Sequence, residues 1–425
     1  MNYIATVQQK VKKKLNNKFV QNIGWLTGAE MAIRVIRLLT TVVLARFLTK
    51  YDYGLAAIVL TTYEFTFVFT DIGIGAKLVQ ADEDELEDLC KNAYWLSWVL
   101  YSGLFLGQCL ASFPIAWFYG DRNLILPICV MGMVLLITPK AVVQAILLRR
   151  ENRLEIRAIN NTAVQGSSNL MSLALAYFLG PLGFGVWAIV IPKVLVAPLW
   201  VYIYLRNHSW RPSGGFRKDK WGEIFNFGKN VLGVELLKTL RTNLDYLLVG
   251  RFLGIKELGI YFFAFNAGLG ISLSIIKSIK AALLPHLCNM RENLSQMKGQ
   301  YYKSLKAIAA LIIPLAVLQS SLAPFYVPIV FGEKWIEAIP VLMLICLSAI
   351  PRPFGQAASQ LMIAIGRPDI DFRWNVIFTF MFTLSIFFGV QWQAIGVAIA
   401  VLIIHAIALP AYTFWASRYA FNKKG

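Results

Sequence analysis

The sequence predicts an all-α polytopic membrane protein with about twelve transmembrane helices in two parallel six-helix lobes. Three observations favour this fold class. Hydrophobic residues make up 57% of the 425 residues and charged residues only 15%, whereas soluble domains contain about 25% charged residues. Apolar runs of roughly 20 residues, the length that a bilayer core requires, recur along the whole chain. In addition, one twelve-residue segment occurs twice, at residues 44–55 and 249–260.

The repeated segment sets the organisation of the chain. LARFLTKYDYGL and VGRFLGIKELGI share an Arg-Phe-Leu triplet and a glycine, and Asp52 is matched by Glu257. Each copy ends one apolar run and opens the next, which predicts a short polar turn between two helices, with Gly54 and Gly259 providing backbone freedom at the bend. With six spans per copy, both copies begin on the same side of the membrane, so the sequence predicts parallel repeats.

The apolar runs define the predicted spans. In the first half they cover roughly residues 20–47, 54–76, 92–118, 124–148, 158–180 and 183–205. In the second half they cover roughly residues 225–249, 258–284, 304–326, 336–364, 373–390 and 393–416. The connections are short, so the sequence predicts an N-terminal lobe at 1–205, a cytoplasmic linker at 206–224 and a C-terminal lobe at 225–425, without a soluble domain.

Lysine and arginine placement predicts the orientation, because positively charged loops stay in the cytoplasm. If the N-terminus is inside, the outer turns contain few cations, namely Lys50, Arg122, Arg251, Lys256 and Lys334. We therefore expect both termini in the cytoplasm. One predicted inner loop, residues 81–88, is acidic, but acidic residues weigh little in this rule. The net charge of +18 is explained by topology signals and by attraction to anionic lipid headgroups. Because no nucleic-acid-binding motif accompanies it, we expect no nucleic-acid partner.

Cations within the predicted spans are the candidate functional residues, because each costs about 2.5–3.5 kcal/mol at the bilayer centre. We expect most of them to face an interior or to reach an interface. These cations are Arg34, Arg37, Lys140, Lys193, Lys238, Arg241, Lys277, Lys280 and Arg352. Arg34 and Arg37 share a face of the first helix of one repeat, and Lys238 and Arg241 share a face of the first helix of the other. This correspondence predicts a cationic central cavity that binds substrate, to which Lys140 and Arg352 could also contribute.

Other interpretations stay open for several of these cations. Glu235, Lys238, Arg241 and Asp245 are spaced so that they could simply pair along one helix. Lys277 and Lys280 lie near the end of their span and could reach the headgroups.

Arg352 lies between two prolines in the tenth predicted span. Pro351 and Pro353 remove backbone donors and break the helix, and broken helices at membrane depth occur where they line protein or a watery cavity. Arg352 could therefore line a cavity, or it could only satisfy the carbonyls that the break leaves free.

The acidic residues within spans are candidates for coupling transport to protons or sodium ions. Glu64 and Asp71 are seven residues apart and share a face of the second predicted span, and Asp245 follows the cationic stripe of the seventh. Each carboxylate could instead neutralise a neighbouring cation.

The sequence predicts no metal site, bound cofactor or catalytic centre. The five cysteines are scattered without CxxC spacing, which indicates neither a metal site nor a disulfide framework. Three motifs do not occur: the phosphate-binding GxxxxGK[ST], the serine-nucleophile GxSxG and the zinc-binding HExxH. We therefore expect a protein that is not an enzyme and that takes its energy from a proton or sodium gradient, the membrane potential or the gradient of its substrate.

Several motifs resemble Wzx-type polysaccharide flippases of the MOP superfamily, in the branch that includes colanic acid and teichuronic acid exporters. The motifs occur in the family's order over nearly the whole chain. They are LARFLT with Tyr53 and Gly54, TDIGIGA at 70–76, FGVWA at 184–188, Phe227 and Gly228, NLDYLLVGRFLG at 243–254, Gly259 and Tyr261, and IGRP at 365–368. Many members have fourteen spans, whereas about twelve are predicted here.

The resemblance implies a two-lobed, MATE-like helical fold that alternates between inward- and outward-facing states. The implied cargo is an oligosaccharide on undecaprenyl pyrophosphate, moved from the cytoplasmic to the outer leaflet of a bacterial inner membrane. The family motifs are structural signatures, but related flippases have a cationic cavity for the pyrophosphate. By resemblance, that cavity would involve Arg34, Arg37, Lys238, Arg241 and Arg352. Membrane lipids and other polysaccharide-assembly proteins are the remaining expected partners.

Two other functions are weighed against this one. An ion-coupled multidrug exporter on the same fold should have an acidic, aromatic pocket for cationic drugs, whereas cations outnumber anions within the predicted spans. An integral membrane glycan polymerase should have a sizeable outer loop with catalytic residues, which the sequence does not contain.

Overall fold

The computed structural model describes residue 33 and residues 35–70, 72–288, 290 and 293–421. Within helices, only the backbone is described for residues 154, 227, 229–231, 234, 270–282 and 285–286. The described chain is helical and contains no β-strand. In the first half the helices are α1 (described from residue 35 to 47), α2 Lys50–Val68, α3 Ile74–Gln80, α4 Glu83–Tyr119, α5 Ile125–Ile137, α6 Val142–Arg150, α7 Leu154–Leu179 and α8 Trp187–Asn207. In the second half they are α9 Trp221–Leu253, α10 Ile255–Cys288, α11 Leu294–Tyr326, α12 Ile339–Ser348, α13 Arg352–Ala364, α14 Pro368–Gly389 and α15 Gln393–Phe421.

The repeated segment forms the same helix–turn–helix junction in both places, as predicted. In the first copy α1 ends at residue 47 and α2 begins at Lys50, and in the second α9 ends at Leu253 and α10 begins at Ile255. The prediction that Gly54 and Gly259 form the bend is wrong, because both lie inside helices. The bend of the second copy is at Gly254, whose positive φ of 88° favours glycine.

The matched acidic residues of the two copies start the helices that follow the turns. In the first copy the Thr49 hydroxyl accepts a hydrogen bond from the Asp52 backbone N–H at 3.1 Å, and the Asp52 carboxylate accepts one from the Thr49 backbone N–H at 2.9 Å. This reciprocal pair is a capping box. Glu257 occupies the same position, third residue of its helix, where the helix dipole favours a negative charge. The repeat is therefore a helix-start signal used twice.

The second predicted span, 54–76, is wrong at its C-terminal end. Helix α2 stops at Val68, and the apolar residues that follow form a turn and then the short helix α3. The turn is closed by Gly73, which adopts a left-handed conformation with a φ of 83°. Since glycine enters that region without steric cost, two glycines within TDIGIGA were a stronger signal than the apolar run itself.

The predicted acidic loop at 81–88 is also wrong, because most of it is the beginning of helix α4. That helix starts at Glu83, and its first turn contains Glu83, Asp84 and Glu85. Three carboxylates at a helix N-terminus are favoured by the positive end of the helix dipole and its free N–H groups. The acidic residues therefore belong to the helix of the third span, and do not form a loop between the second and third spans.

Two of the predicted spans are interrupted. A 3₁₀ turn at Thr138–Ala141, which contains Pro139, separates α5 from α6. The expected break at Pro351 is present and separates α12 from α13. Proline lacks the N–H group that would continue the helical hydrogen bonds, which favours a break at both places, although α4, α8, α11 and α15 continue through internal prolines.

The fold divides into two units, Met1–Asp52 with Ile58–Leu240, and Tyr53–Ala57 with Arg241–Gly425. The predicted lobe limits at 205 and 225 stay a prediction. In the first unit, α3, α4, α6 and the start of α9 share a buried cluster that includes Leu78, Leu89, Val143 and Ile224. In the second unit, α10, α11, α13 and α15 pack around Leu287, Tyr301, Leu361 and Tyr412. Each unit therefore has a hydrophobic core of its own.

Six helical stretches of the described chain are long and apolar enough to cross a bilayer. They are Glu83–Tyr119, Arg122–Arg150, Trp187–Asn207, Leu294–Phe331, Glu333–Ala364 and Pro368–Phe421. Large apolar side chains on these stretches are exposed, for example Trp117 at 85% and Ile329 at 72%. In a soluble protein such an apolar surface would be unfavourable, whereas lipid tails cover it in a multi-pass membrane protein.

Candidate functional site

In the first unit, the predicted cation Arg37 lies on α1 with its side chain exposed. Lys193, on α8, is also exposed and interacts electrostatically with both Arg37 and Glu64 of α2. Three helices therefore bring two cations and one carboxylate into one polar cluster. All three residues are predicted from the sequence as charges within spans, but their grouping is not, because the proximity of α1, α2 and α8 is set by tertiary packing.

The remaining predicted residues of the first unit differ in position. Lys140 lies on the 3₁₀ turn that interrupts the fourth span and is exposed. Arg34 and Asp71 lie outside the described residues, so their predicted roles stay predictions. Lys277 and Lys280, in the second half, belong to the part of α10 described by its backbone alone.

On α9, Lys238 pairs with Glu235 as the spacing allowed. The Lys238 ammonium lies 2.9 Å from the Glu235 carboxylate, and the two side chains are 55% and 41% exposed. Ion pairs this exposed stabilise a helix only slightly. Lys238 is therefore accessible although it has a partner in its own helix.

The next two charged residues of α9 are Arg241 and Asp245. The side-chain contacts found for each of them are with other residues, and not with one another. The Arg241 guanidinium donates to the Asn375 side-chain carbonyl on α14 and interacts electrostatically with Asp371. Asp371 in turn accepts a hydrogen bond from the Tyr412 hydroxyl at 2.9 Å. The cation is thus held between α9, α14 and α15.

Asp245 is buried, with 4% of its surface exposed. Its carboxylate accepts hydrogen bonds from the Tyr261 hydroxyl of α10 at 2.9 Å and from the Tyr246 backbone N–H at 3.0 Å. It also interacts electrostatically with Arg352 of α13. A buried carboxylate is costly unless it is hydrogen-bonded and paired, and this one has both kinds of partner.

Arg352 has one of the two roles that the sequence left open, contact with a carbonyl at the helix break, and its cavity-lining role stays a prediction. Its Nε and Nη2 atoms lie 3.3 Å from the Ser348 carbonyl and hydroxyl oxygens, on the other side of the helix break. Its guanidinium also lies 5.7 Å from the centre of the Phe265 ring, a distance suited to a cation–π contact. Arg352 therefore satisfies a carbonyl at the break and belongs to the Asp245–Tyr261 network.

Four polar residues of these clusters were not selected from the sequence: Tyr261, Asp371, Asn375 and Tyr412. The signal for two of them was available, because Asp371 and Asn375 are four residues apart and so share a face at the start of α14. The tyrosines carry no such signal, since aromatic residues are common in membrane spans.

Three glycines of the family motifs, Gly54, Gly185 and Gly228, lie where segments of the chain pack closely. A methyl group added to Gly228 would come within 1.8 Å of the Ile72 carbonyl oxygen, and one added to Gly185 within 2.7 Å of the Asp52 carboxylate. At Gly54 it would come within 1.9 Å of the Ile255 carbonyl oxygen. Close packing therefore joins TDIGIGA to the Phe227–Gly228 motif, FGVWA to the repeated segment 44–55, and that segment to the start of α10. These contacts give the motif glycines a structural role.

Residues 208–220, the irregular part of the predicted linker, are bound to the acidic start of α4. Arg217 Nη1 lies 2.9 Å from the Asp88 carboxylate, and the Trp210 indole N–H donates to Glu87 at 2.9 Å. Asn92 accepts from the Lys220 backbone N–H at 3.2 Å. These contacts to α4 hold the linker on the first unit. The acidic residues at the start of α4 therefore serve to bind the linker.

The short helix α3 is attached to the same region. Arg150 Nη1 donates to the carbonyls of Leu78 at 2.9 Å and Ala81 at 2.6 Å, while its Nη2 lies 2.8 Å from the Glu83 carboxylate. Lys77 of α3 forms an ion pair with Glu223 of α9. Charge-assisted contacts therefore attach α3 to α6 through Arg150 and to α9 through Lys77.

A family model described as polysaccharide biosynthesis protein matches residues 43–340. The chain belongs to this family. It is 26% identical over 382 residues to the teichuronic acid biosynthesis protein TuaB of Bacillus subtilis (strain 168), covering 89% of this chain and 77% of that one. It is also 26% identical over 404 residues to the lipopolysaccharide biosynthesis protein WzxC of Escherichia coli (strain K12), covering 92% and 80% of the two chains. The resemblance to Wzx-type proteins is confirmed.

Solved structures confirm the predicted fold class. The lipid II flippase MurJ in an inward closed conformation superposes with a TM-score of 0.79 at 13% identity, covering 94% of this chain and 89% of that one. An inward-facing multidrug resistance MATE family transporter of the MOP superfamily superposes with a TM-score of 0.73 at 13% identity, covering 92% and 96%. At such identities the similarity concerns the fold alone, so the polysaccharide biosynthesis protein is a multi-pass helical membrane protein with the fold of these transporters.

Proposed function

We propose that this family member is a flippase that moves an oligosaccharide linked to undecaprenyl pyrophosphate from the cytoplasmic to the outer leaflet of a bacterial inner membrane. Relatives named for teichuronic acid and lipopolysaccharide biosynthesis support a glycan substrate. A lipid II flippase has the same fold, so the fold is compatible with a lipid-linked cargo, and the lipid link is part of the proposal. In this proposal both termini are cytoplasmic, the protein is a transporter and not an enzyme, and other polysaccharide-assembly proteins supply and use its substrate.

The observation that carries the proposal is the exposure of cations on helices of the predicted membrane spans, of which α8 is among the stretches able to cross a bilayer. Arg37, Lys193 and Lys238 are exposed on α1, α8 and α9. Each would cost about 2.5–3.5 kcal/mol if it faced the centre of the lipid core. We infer that they face a hydrated substrate path, where the pyrophosphate compensates their charge. Guanidinium and ammonium groups suit such a multiply charged anion.

The proposed pyrophosphate ligands are the predicted cations Arg34, Arg37, Lys140, Lys238, Arg241 and Arg352. Within this set, Arg37 and Lys238 are the most accessible of the described first-helix cations. Arg241 is half-buried and already hydrogen-bonded to Asn375, so substrate would have to share or replace that contact. Alternating access would present these cations first to the cytoplasm and then to the outer surface.

Ion coupling is proposed for the acidic residues Glu64, Asp71 and Asp245. Glu64 interacts with Lys193, and Asp245 lies in the network of Tyr261 and Arg352. Protonation or sodium binding at either carboxylate would change the charge beside a cation. That change gives each unit a way to respond to a proton or sodium gradient, the sources of energy expected for this protein.

The multidrug exporter alternative has less support. A MATE transporter shares the fold, but at 13% identity this likeness says nothing about substrate. The sequence relatives reported above are named for polysaccharides, and the family model is too. The glycan polymerase alternative is likewise not favoured by any of these relatives.

The test is a flipping assay in proteoliposomes with a fluorescent lipid-linked oligosaccharide. We expect Arg37→Gln and Lys238→Gln each to lower the rate about tenfold, the effect of losing one charge-assisted contact worth about 1.5 kcal/mol. Arg122→Gln, which removes an exposed cation from the outer 3₁₀ turn Arg122–Leu124, is the matched control. Unchanged flipping by both variants, at equal protein incorporation, would remove these cations from the substrate path. Wild-type protein that exports cationic dyes but does not flip the glycolipid would favour the exporter.

A further inference from the structure

An open cavity of about 400 Å³ lies at the C-terminal end of α8, within the first unit. It is lined by Glu151, Arg153, residues 205–209 and Arg211. Helix α8 is one of the stretches able to cross the bilayer, so its end lies near the level of the lipid headgroups. The distribution of lysine and arginine predicts that this end faces the cytoplasm.

The guanidinium of Arg211 is fixed in this cavity by neutral acceptors. Its Nη1 donates to the carbonyls of His208 and Trp210, both at 2.7 Å, and its Nη2 donates to the carbonyl of Leu205 at 2.6 Å. Carbonyl oxygens orient a guanidinium without cancelling its charge. Arg211 therefore presents an oriented positive charge for which these three contacts provide no counter-ion.

Two further arginines add to this charge. Arg206 Nη1 lies 3.1 Å from the Tyr202 hydroxyl, again a neutral partner. Arg153 Nη1 donates to the Asn207 carbonyl at 3.0 Å and lies 3.6 Å from the Glu151 carboxylate, and its Nε lies 3.9 Å from the Glu155 carboxylate. Among the residues that line the cavity there is one carboxylate against three arginines, and Glu151 is shared with His208 at 3.1 Å. Even with Glu155 counted, arginines outnumber carboxylates here, and the excess charge lies on Arg206 and Arg211.

The residues in and around the cavity favour a phosphate group over other anions. Guanidinium groups match the geometry of phosphate oxygens, and arginine is favoured where phosphate is recognised. Tyr202, next to Arg206, is 56% exposed, as is common for aromatic residues at the boundary between lipid and water. A volume of about 400 Å³ lies within the size range of small-ligand pockets. A phospholipid whose phosphate enters the cavity from the membrane would place its acyl chains against α8.

We propose that this cavity binds the phosphodiester headgroup of an anionic phospholipid of the cytoplasmic leaflet. The arginines of the cavity then do more than orient the protein in the membrane. Because Arg211 holds the first residues of the linker, a bound lipid also fixes the linker to the membrane surface. The site is separate from the proposed pyrophosphate ligands, so the proposal does not depend on the transport function.

The test is lipid binding to the purified full-length protein by native mass spectrometry, with phosphatidylglycerol and phosphatidylcholine as probes. The variant Arg206→Gln with Arg211→Gln removes two cations from the cavity. The matched control, Arg149→Gln with Arg157→Gln, removes two exposed arginines from the same end of the unit but outside the cavity. We expect the cavity variant to bind phosphatidylglycerol at least about tenfold more weakly, and the control to bind as the wild type does. Equal binding by all three proteins, or equal weakening in both variants, would overturn the proposal.

Two single variants keep the test informative if loss of Arg211 disturbs the linker. Arg206→Gln leaves the Arg211 contacts intact and should still weaken binding of phosphatidylglycerol. Glu151→Gln removes the carboxylate and should strengthen it several-fold, which a general loss of folding cannot do. Displacement of the lipid by excess inorganic phosphate, with no preference for phosphatidylglycerol over phosphatidylcholine, would assign the site to a soluble phosphate and overturn the lipid assignment.

Discussion

The Tyr261 hydroxyl on α10 donates a hydrogen bond of 2.9 Å to the Asp245 carboxylate on α9, and both side chains are buried. Four residues before Asp245 on the same helix, Arg241 donates instead to Asn375 of α14. The charged stripe of α9 is therefore divided. Lys238 pairs within the helix, whereas Arg241 and Asp245 connect it to other helices of the second unit, and this division allows the contribution of each contact to be measured separately.

Tyr261→Phe should destabilise the protein while leaving its packing intact. The substitution removes one hydrogen bond from a buried carboxylate, which costs about 1–3 kcal/mol. We expect a lower midpoint of thermal unfolding in detergent. Tyr177→Phe is the control, because Tyr177 is 61% exposed. Equal midpoints for both variants would show that the Asp245–Tyr261 contact contributes no stability.

Asp245 and Arg352 should behave as a coupled pair. Asp245→Asn and Arg352→Gln each leave the other charge without its partner, so each single variant should be destabilised. In the double variant no charge is left behind, and we expect a loss smaller than the sum by about 0.5–3 kcal/mol. Unfolding of the four proteins measures this difference. Asp245→Asn combined with Arg418→Gln should be additive, and additivity of the first pair would refute the coupling.

Glu235→Gln and Lys238→Gln should have different effects on transport. Glu235 lies 2.9 Å from Lys238, so its loss removes a negative charge that competes with an anionic substrate for this cation. We expect Glu235→Gln to lower KM for the lipid-linked oligosaccharide and Lys238→Gln to raise it. The readout is the substrate dependence of flipping in proteoliposomes. A fall in flipping for both variants would mean that the ion pair itself, and not the cation, is what transport requires.

Alanine at the motif glycines should be strongly destabilising. In Gly54→Ala and Gly228→Ala the new methyl group meets a backbone carbonyl oxygen at 1.9 Å and 1.8 Å, so helices must move apart. Gly103→Ala and Gly107→Ala are the controls, since no neighbouring atom lies within 4 Å of the added group. In the interior of α4 these should be neutral or stabilising by about 0.5–1 kcal/mol. Yield and thermal unfolding distinguish the two groups, and similar behaviour would contradict the packing role.

The linker should loosen when the acidic start of α4 is neutralised. Glu87→Ala with Asp88→Ala removes the side-chain oxygens that accept hydrogen bonds from Trp210 and Arg217. We expect faster hydrogen–deuterium exchange in residues 208–221 and unchanged exchange in α5. Asp84→Asn, in the same helix start, is the control for loss of acidic charge. Equal exchange in the two variants would show that the linker is held by other contacts.

The contact between α3 and α9 should weaken in acid. The hydrogen bond and charge of Lys77 lower the pKa of Glu223 below its ordinary value of 4.5. A group whose pKa is lowered by folding contributes stability above its unfolded pKa and loses it as the pH falls through the folded pKa. We therefore expect opening of α3, after correction for intrinsic exchange, to increase as the pH falls below 4.5. In Glu223→Gln this pH dependence should be smaller than in the wild type.

The sequence by itself determined the class of the fold, the repeat and most of the spans. Composition and run length suffice for this because every membrane-spanning helix must be apolar over a similar length. The repeat at 44–55 and 249–260 also predicted the two helix junctions, since capping residues act on their own backbone neighbours. The predictions from sequence were wrong at Gly54, at the end of the second span and at the acidic start of α4. At the last two places a short-range signal, a glycine turn or a helix start, lay within an apolar or acidic run and was not recognised.

Only the tertiary structure decided the partners of the charged side chains. Spacing along α9 allowed Arg241 to pair with Asp245, but Asn375 and Tyr261, both more than ten residues away in the chain, are the partners found. Likewise, nothing local to residues 81–88 revealed that they hold the linker. The reason is physical: helix geometry fixes which residues share a face, whereas the neighbour that faces them depends on how distant segments pack.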